Sequence, residues 1–340
     1  MTIYHIAWWN LENLYDDTPW EEKARKIKNI GNLKERLKYW KTPVLETKLT
    51  QLASVIKSMN NNQGPDILGV CELESKKVLE KLVKKIKTPP LDAREYEIVH
   101  IDTKDQRGID LAFIYDKTKF GFHIKDPNAP EGHDDGKHIF AHPIIKRSPT
   151  RHILQVNFKA LNEDQPLILI ANHWPSRLTG TYLTEPYRII AAETLAYYNQ
   201  RIHEVLGKDT PIIVMGDFND DPGDRSMTDY ALSCRNEDQV INATSKPKLL
   251  NLMWSLMNQG YGSYWYDEPL FFDQFLVSKA IVKKNGKTKV IPDSVKVLKD
   301  KKRWETPKGD YPKPRRFSWN TRDPPGWSDH FPITMQIKIK

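Results

Sequence analysis

Apolar positions along this chain come in short blocks, and their period changes from block to block. Runs rich in β-branched and aromatic residues fill residues 3–9, 66–71, 96–101, 110–115, 153–158, 167–171, 212–215, 272–277 and 333–339. Their lengths and composition predict strands rather than segments of buried helix. Helical spacing predicts helices over 47–59, 75–87 and 185–206. The last carries Ile189, Ala192, Leu195, Ala196 and Tyr198, with Pro186 near its first turn, where a missing N–H does little harm. Residues 16–42, 126–149 and 299–325 show neither period and read as irregular. No composition shift and no repeat divides the chain, so a single domain over 1–340 is expected. Strand-rich stretches with helices between them predict sheets with helices packed outside.

Composition narrows this only a little. The 340 residues are 39% hydrophobic and 28% charged, which suits a globular core. Lys and Arg number 52 against 44 acids, for a net charge of +8. That excess suits a polyanionic partner and equally suits an ordinary solvated surface. The two cysteines, Cys71 and Cys234, support neither a disulfide framework nor a cysteine-based zinc site. Cys71 lies in an apolar strand pattern, where a small buried residue is expected. Residues 1–7 lack the basic and apolar regions of a signal peptide. No run approaches the roughly 18 apolar residues of a membrane span. A cytoplasmic protein is the expectation.

The chemistry sits where apolar runs meet loops. Asn10 ends the first run, although an Asn there is most often a turn former. Glu72 ends the run 66–71; it suits a helix cap, or a hard cation that takes carboxylate oxygen. Asn172 and His173 follow the run 167–171, then Trp174, Pro175, Ser176 and Arg177. A lone His in that place is usually structural; Ser176 and Arg177 can meet phosphate or cap the loop. Asp217 and Asn219 follow the run 212–215 and point to one side of an extended segment. Asp220 and Asp221, before Pro222, read as turn residues.

Asp273 lies inside an apolar run, where a carboxylate is costly unless paired. His330 is its natural partner, oriented by Asp273 as in a triad, with Asp329 beside it as a further acid. The densest basic segment comes just before, with Lys301, Lys302, Arg303, Lys308, Lys313, Arg315 and Arg316. It suits phosphate tracking and equally a solvated loop. Most of the ten tryptophans are expected to fill the core, though aromatics beside such a site can stack on bases. Zinc-protease, P-loop, serine-hydrolase and dinucleotide motifs are all absent from the sequence.

Taken in order, these motifs resemble the endonuclease/exonuclease/phosphatase family, with its deoxyribonuclease I-like fold. The matching set is Asn10, Glu72, Arg107-Gly108-Ile109-Asp110, Arg147-Ser148-Pro149, Asn172-His173, Gly216-Asp217-Phe218-Asn219, Phe272-Asp273-Gln274 and Ser328-Asp329-His330. Each is weak alone; the ordered set spans nearly the whole chain. The stretch from Asn172 to Arg177, followed by Glu185-Pro186, resembles a mainly bacterial branch. One departure stands out: Cys71 precedes Glu72 where the family usually has Gln.

The resemblance implies an α+β fold, a four-layer αββα sandwich of two mixed sheets. It implies that Asn10 and Glu72 hold Mg²⁺ or Mn²⁺, with Asp329 near. Asp217 would prepare water and Asn219 would hold the phosphate. His330, backed by Asp273, would stabilise the developing charge or act as acid/base, and His173 fills a second active-site position. Arg147, Asn172 and Arg177 are the candidate phosphate contacts. Asp110, with Arg107 before it, faces either a surface or the site, where it would orient His173.

The expected activity is metal-dependent phosphodiester hydrolysis by in-line water attack, with a nucleic acid as substrate. Phosphatases and phospholipid-type phosphodiesterases share the same set, so they remain the alternative. A non-catalytic binding module would have lost site residues, and every principal position is filled here.

Overall fold

The computed structural model describes residues 1–28, 32–123, 138–163, 165–257, 259–300, 305–308, 311–317 and 326–340, with backbone alone at 305–308. Two mixed sheets meet face to face. In the first, strand Thr2–Leu14 lies between Ile333–Ile339, antiparallel to it, and Ile67–Leu73, parallel to it. Asp110–Asp116 and Tyr96–Ile101 extend this sheet to one edge, and Thr288–Val290 lies at the other. In the second, Ile212–Asp217 runs parallel to Pro166–His173 and antiparallel to Asp273–Val277. Ile153–Ala160 pairs on the far side of Pro166–His173.

The two-residue period of the strands sorts side chains into layers. Leu167, Leu169 and Ala171 join Ile213 and Met215 in the core between the sheets. Their neighbours Ile168 and Ile170 join Ile212 and Val214 in a second core. Helix Thr181–Leu206 covers that second core with Ala191, Ala192 and Leu195. Helices Thr42–Asn62 and Lys76–Ile86 cover the first sheet with Leu45, Leu49, Leu52, Leu79 and Leu82, all fully buried. Each such leucine contributes about 1.5–3 kcal/mol by leaving water. The result is the expected order of helix, sheet, sheet, helix. No helix among the described residues is long and apolar enough to cross a membrane.

The predicted strands all form, and the differences lie at their ends. The first runs to Leu14 rather than stopping at residue 9, because a bulge lets the backbone continue. Glu12 and Asn13 there have φ of +51° and +56°. Two helices begin earlier than periodicity suggested, at Thr42 and Thr181; Pro43 suits a first turn that has few apolar positions to reveal it. The stretch 16–42 holds two short helices, Trp20–Lys23 and Leu33–Leu37. The stretch 126–149 holds an edge strand, Ile139–His142. The stretch 299–325 holds a hairpin, Glu305–Lys308 with Tyr311–Pro314. These pieces are too short for a period to show.

The sheets pack tightly at Gly69. A Cβ on that residue would lie 2.7 Å from the Trp8 ring and 2.9 Å from Met215 Sδ. Glycine there lets the Trp8 indole lie across the gap toward the second sheet.

Candidate active site

Three adjacent strands of the second sheet end level with one another. His173 is the register partner of Asp217, and Asp217 is the partner of Asp273. Each is two residues beyond, or two before, a residue of the inter-sheet core (Ala171, Met215 and Phe275), so all three point into the gap. The first sheet meets them with Trp8, Asn10 and Cys71, where Asn10 and Cys71 are again register partners. The period that builds the core thus also gathers the polar residues at one end of it.

Asp217 is held from two sides. Asn10 Nδ2 donates to its Oδ2 at 3.0 Å, and the Asn219 backbone N–H donates to its Oδ1 at 3.0 Å. Asn219 takes the left-handed conformation, φ +52°, and its Nδ2 donates to the Trp174 carbonyl at 3.0 Å. Asp273 accepts from Trp8 Nε1 at 2.8 Å and contacts His330 Nδ1 at 2.6 Å. The far nitrogen of His330, Nε2, lies 3.8 Å from Asp217 Oδ2 and 4.0 Å from Asp329 Oδ1. Ser328 fastens this segment to the first strand by donating to the Asn10 carbonyl at 2.7 Å.

The charges follow from this crowding. Burial pushes the Asp217 carboxyl up to about 7, opposed by His330 and reinforced by Asp273. Burial alone would lower His330, but the charges of Asp273 and Asp217 outweigh it and raise the imidazole to about 10. Burial drives His173 the other way, well below its ordinary value, with Arg151 and Arg107 adding to the effect.

Glu72, next to last in its strand, has φ +61°. Its Oε2 accepts from the Asn13 N–H at 2.9 Å. Its Oε1 has no hydrogen-bond donor among the described residues, and His173 Nε2 stands 3.7 Å away. Asp329 Oδ2 lies 3.2 Å from Arg316, which also bridges to Glu12 at 2.8 Å. An underbonded, half-buried carboxylate oxygen is the kind of donor that a hard divalent cation takes, and amide and further carboxylate oxygens suit the same ion. Asn10, Glu72 and Asp329 therefore fit such an ion.

Several candidates stand elsewhere or are otherwise engaged. Asn172 follows Ala171, so alternation turns it to the opposite face; its Oδ1 accepts from Trp174 Nε1 at 3.0 Å. Arg147 is exposed and joins none of these contacts. The buried arginine in this region is Arg151, which donates to the carbonyls of His173 and Trp174 at 3.2 and 2.8 Å. Arg177 has its fork occupied by Asp220 and Asp224, and its Nε donates to the Asn219 carbonyl at 2.7 Å. It supports the Asn219 turn rather than presenting a free cation.

Asp110 does not orient His173. Its Oδ2 lies 3.1 Å from His100 Nε2, and its Oδ1 accepts from Thr103, because it opens its strand beside that turn. His173 Nδ1 is buried without a partner. Arg107 does lie near the site: Glu72 and Asp105 keep its guanidinium charged against burial. In the basic segment, Arg316 reaches the site. Lys301, Lys302, Arg303 and the Lys308 side chain lie outside the described residues, as do Trp304 and Trp319.

Sequence reasoning passed over Trp8, Glu12, Arg151 and Tyr264. Tyr264 stacks on Phe272 at 5.1 Å and against His330 at 4.7 Å, and Arg177 caps Phe272 at 4.9 Å. The two-residue spacing of Trp8 and Asn10 was a usable signal for Trp8. Tyr264 comes from a short hairpin without any period.

Comparison with known proteins shows the family and the fold. A family model described as the Endonuclease/Exonuclease/phosphatase family matches residues 5–339. No curated protein matches the chain. Among solved structures, a mannosyl-6-phosphatase from Bacteroides thetaiotaomicron VPI-5482 superposes with a TM-score of 0.56 at 16% identity, covering 98% of this chain and 99% of that one. A second Bacteroides thetaiotaomicron family protein gives 0.55 at 16%, over 100% and 98%. TDP2 of D. rerio, humanized by 14 mutations, gives 0.55 at 13%, over 99% of both chains. The chain belongs to the endonuclease/exonuclease/phosphatase family, whose members are hydrolases of phosphoesters that generally use a divalent metal.

Proposed function

We propose that this protein is a Mg²⁺- or Mn²⁺-dependent phosphodiesterase that cleaves nucleic acid. The observation that carries the reading is the row His173, Asp217 and Asp273, closed by His330 and faced by Asn10 and Glu72. Asp217, fixed by Asn10 and the Asn219 N–H, orients water for in-line attack on phosphorus. Asn219 has one amide hydrogen on the Trp174 carbonyl and a second for a phosphoryl oxygen. His330, kept charged by Asp273, stabilises the negative charge that develops in the transition state. His173 donates to another phosphoryl oxygen. Asn10, Glu72 and Asp329 would hold a divalent cation, which would supply positive charge to offset the negative charge of the phosphoryl group.

Two features support a nucleic acid over a small ester. Half-buried Tyr264, backed by Phe272 and beside His330, is an aromatic ring on which a base can lie. Arg316, the cation of the basic segment that reaches the site through Asp329, suits a polyanionic backbone. The test is a substrate panel of single- and double-stranded DNA, RNA, a phospholipid and a simple phosphomonoester, with Mg²⁺, Mn²⁺ or EDTA. Cleavage of DNA or RNA, lost in EDTA and in Asp217→Ala, is the expected result. Phosphomonoester or phospholipid hydrolysis without nucleic-acid cleavage would overturn the nuclease reading. No hydrolysis of any of them would overturn the enzyme reading.

A further inference from the structure

We propose that Cys71, His173 and Asp217 form a binding site for a borderline-soft divalent cation of the Zn²⁺ type, separate from the oxygen donors Asn10, Glu72 and Asp329. Alternation places Cys71 two residues beyond Gly69, whose inward side meets Trp8 and Met215, so the thiol faces the gap between the sheets. One donor atom from each of Cys71, His173 and Asp217 lies within 4.8 Å of the others. All three residues are buried.

The imidazole supplies an independent reason. His173 is 3% exposed, and its Nδ1 has no partner among the described residues. Its Nε2 stands 3.7 Å from both Glu72 and Asp217, beyond hydrogen-bonding range. A buried polar ring with neither nitrogen bonded costs free energy until something satisfies it. A cation between the three side chains would satisfy Nε2, the nitrogen that faces Asp217.

The donor types select the ion. One sulfur, one nitrogen and one carboxylate oxygen suit Zn²⁺, with water in the fourth position, and do not suit Mg²⁺, which takes oxygen. Bond lengths of about 2.0–2.3 Å put tetrahedral ligands about 3.5 Å apart, so small rotamer changes close the site. As the Sγ–metal bond forms, the thiol proton passes to solvent. Capture of Asp217 and His173 by such an ion removes them from the water and the phosphate. Zn²⁺ therefore inhibits hydrolysis supported by the hard cation.

The site stands on geometry and is independent of the substrate assigned above, so its test does not need turnover. Metal-free protein is titrated with Co²⁺, whose bond to a thiolate gives a near-ultraviolet charge-transfer band. The expected result is one equivalent of band in the wild type and in Cys234→Ala, the other thiol serving as control. Cys71→Ala and Cys71→Ser lose the band and bind Zn²⁺ at least about tenfold more weakly. Two folded variants at one position guard against a loss due to misfolding, which circular dichroism would reveal. Absence of the band in the wild type, its survival in either Cys71 variant, or its loss in Cys234→Ala would overturn the proposal.

Discussion

Two histidines of this protein, His330 and His100, each lie against an aspartate, and only one of the pairs belongs to the candidate site. Their contacts look alike. His330 Nδ1 lies 2.6 Å from Asp273, and His100 Nε2 lies 3.1 Å from Asp110. What differs is where each pair stands and what surrounds it. Asp273 holds the indole of Trp8 with its other oxygen, and the free nitrogen of His330 looks toward Asp217 and Asp329. Asp110 spends its other oxygen on the backbone and hydroxyl of Thr103, closing the turn between two strands at a sheet edge. A His–Asp contact is therefore no sign of chemistry by itself. The second ring nitrogen, and the charges it faces, separate the pair at the candidate site from a turn clasp.

Removing the imidazoles gives the largest expected difference. His330→Ala is predicted to lower kcat by about 10²–10⁴-fold, the range for a group that moves protons or stabilises charge. His100→Ala is predicted to leave kcat within about twofold, since loss of a clasp leaves the reacting groups in place. Steady-state hydrolysis of the best substrate from the panel reads both. Equal losses in the two variants would erase the distinction between the pairs.

Changing the aspartates isolates charge from shape. Asp273→Asn keeps the volume but deprives His330 of its anionic partner, and kcat is predicted to fall about 10²-fold or more. Asp110→Asn is predicted to cost about 1 kcal/mol of stability, read from urea unfolding, without changing kcat. A stable, fully active Asp273→Asn would refute the role given to that pair.

How much of this was legible in the sequence depended on period. Every strand that carries a site residue has a recognisable apolar run, and Asn10, Glu72, His173, Asp217 and Asp273 fall at or beside the ends of such runs. Alternation also held the warning about Asn172. It follows Ala171 and precedes His173, so it cannot share their face. Asp110 was ambiguous because its partner, His100, lies on a neighbouring strand, and pairing between strands is not written in either run. Arg147 and Arg151 illustrate a related limit. Both lie in irregular sequence, and only tertiary contacts show that Arg151 is the buried one.

A subtler change tests the indole that Gly69 makes room for. Trp8→Phe keeps most of the ring but removes the N–H that donates to Asp273 at 2.8 Å. A hydrogen bond to a charged group is worth roughly 1.5–3 kcal/mol, and only part of that acts through His330. The predicted effect is about a tenfold loss in kcat, with KM little changed. If KM rose instead and kcat held, Trp8 would be shaping the substrate surface rather than holding Asp273.

A third histidine sets the lower bound of the comparison. His5 is 7% exposed and has a buried, unpartnered Nδ1. Burial pushes its pKa down to about 4, against the pull of Asp66. With no carboxylate bonded to the ring, desolvation wins here, whereas at His330 the aspartates win. The sign follows directly. Below the unfolded value of about 6.5 the unfolded chain takes up a proton that folded His5 refuses, so stability falls as pH drops toward 4 and then levels off. The shift corresponds to a loss on the order of 3 kcal/mol across that window. His5→Gln removes the titration, so its unfolding free energy should fall less between pH 7 and 4 than that of the wild type, with no effect on kcat. Urea denaturation of both proteins at several pH values measures the difference. Parallel curves would mean that Asp66 offsets the burial of His5, and a steeper fall in the variant that Asp66 outweighs it, making His5 a third member of the paired class.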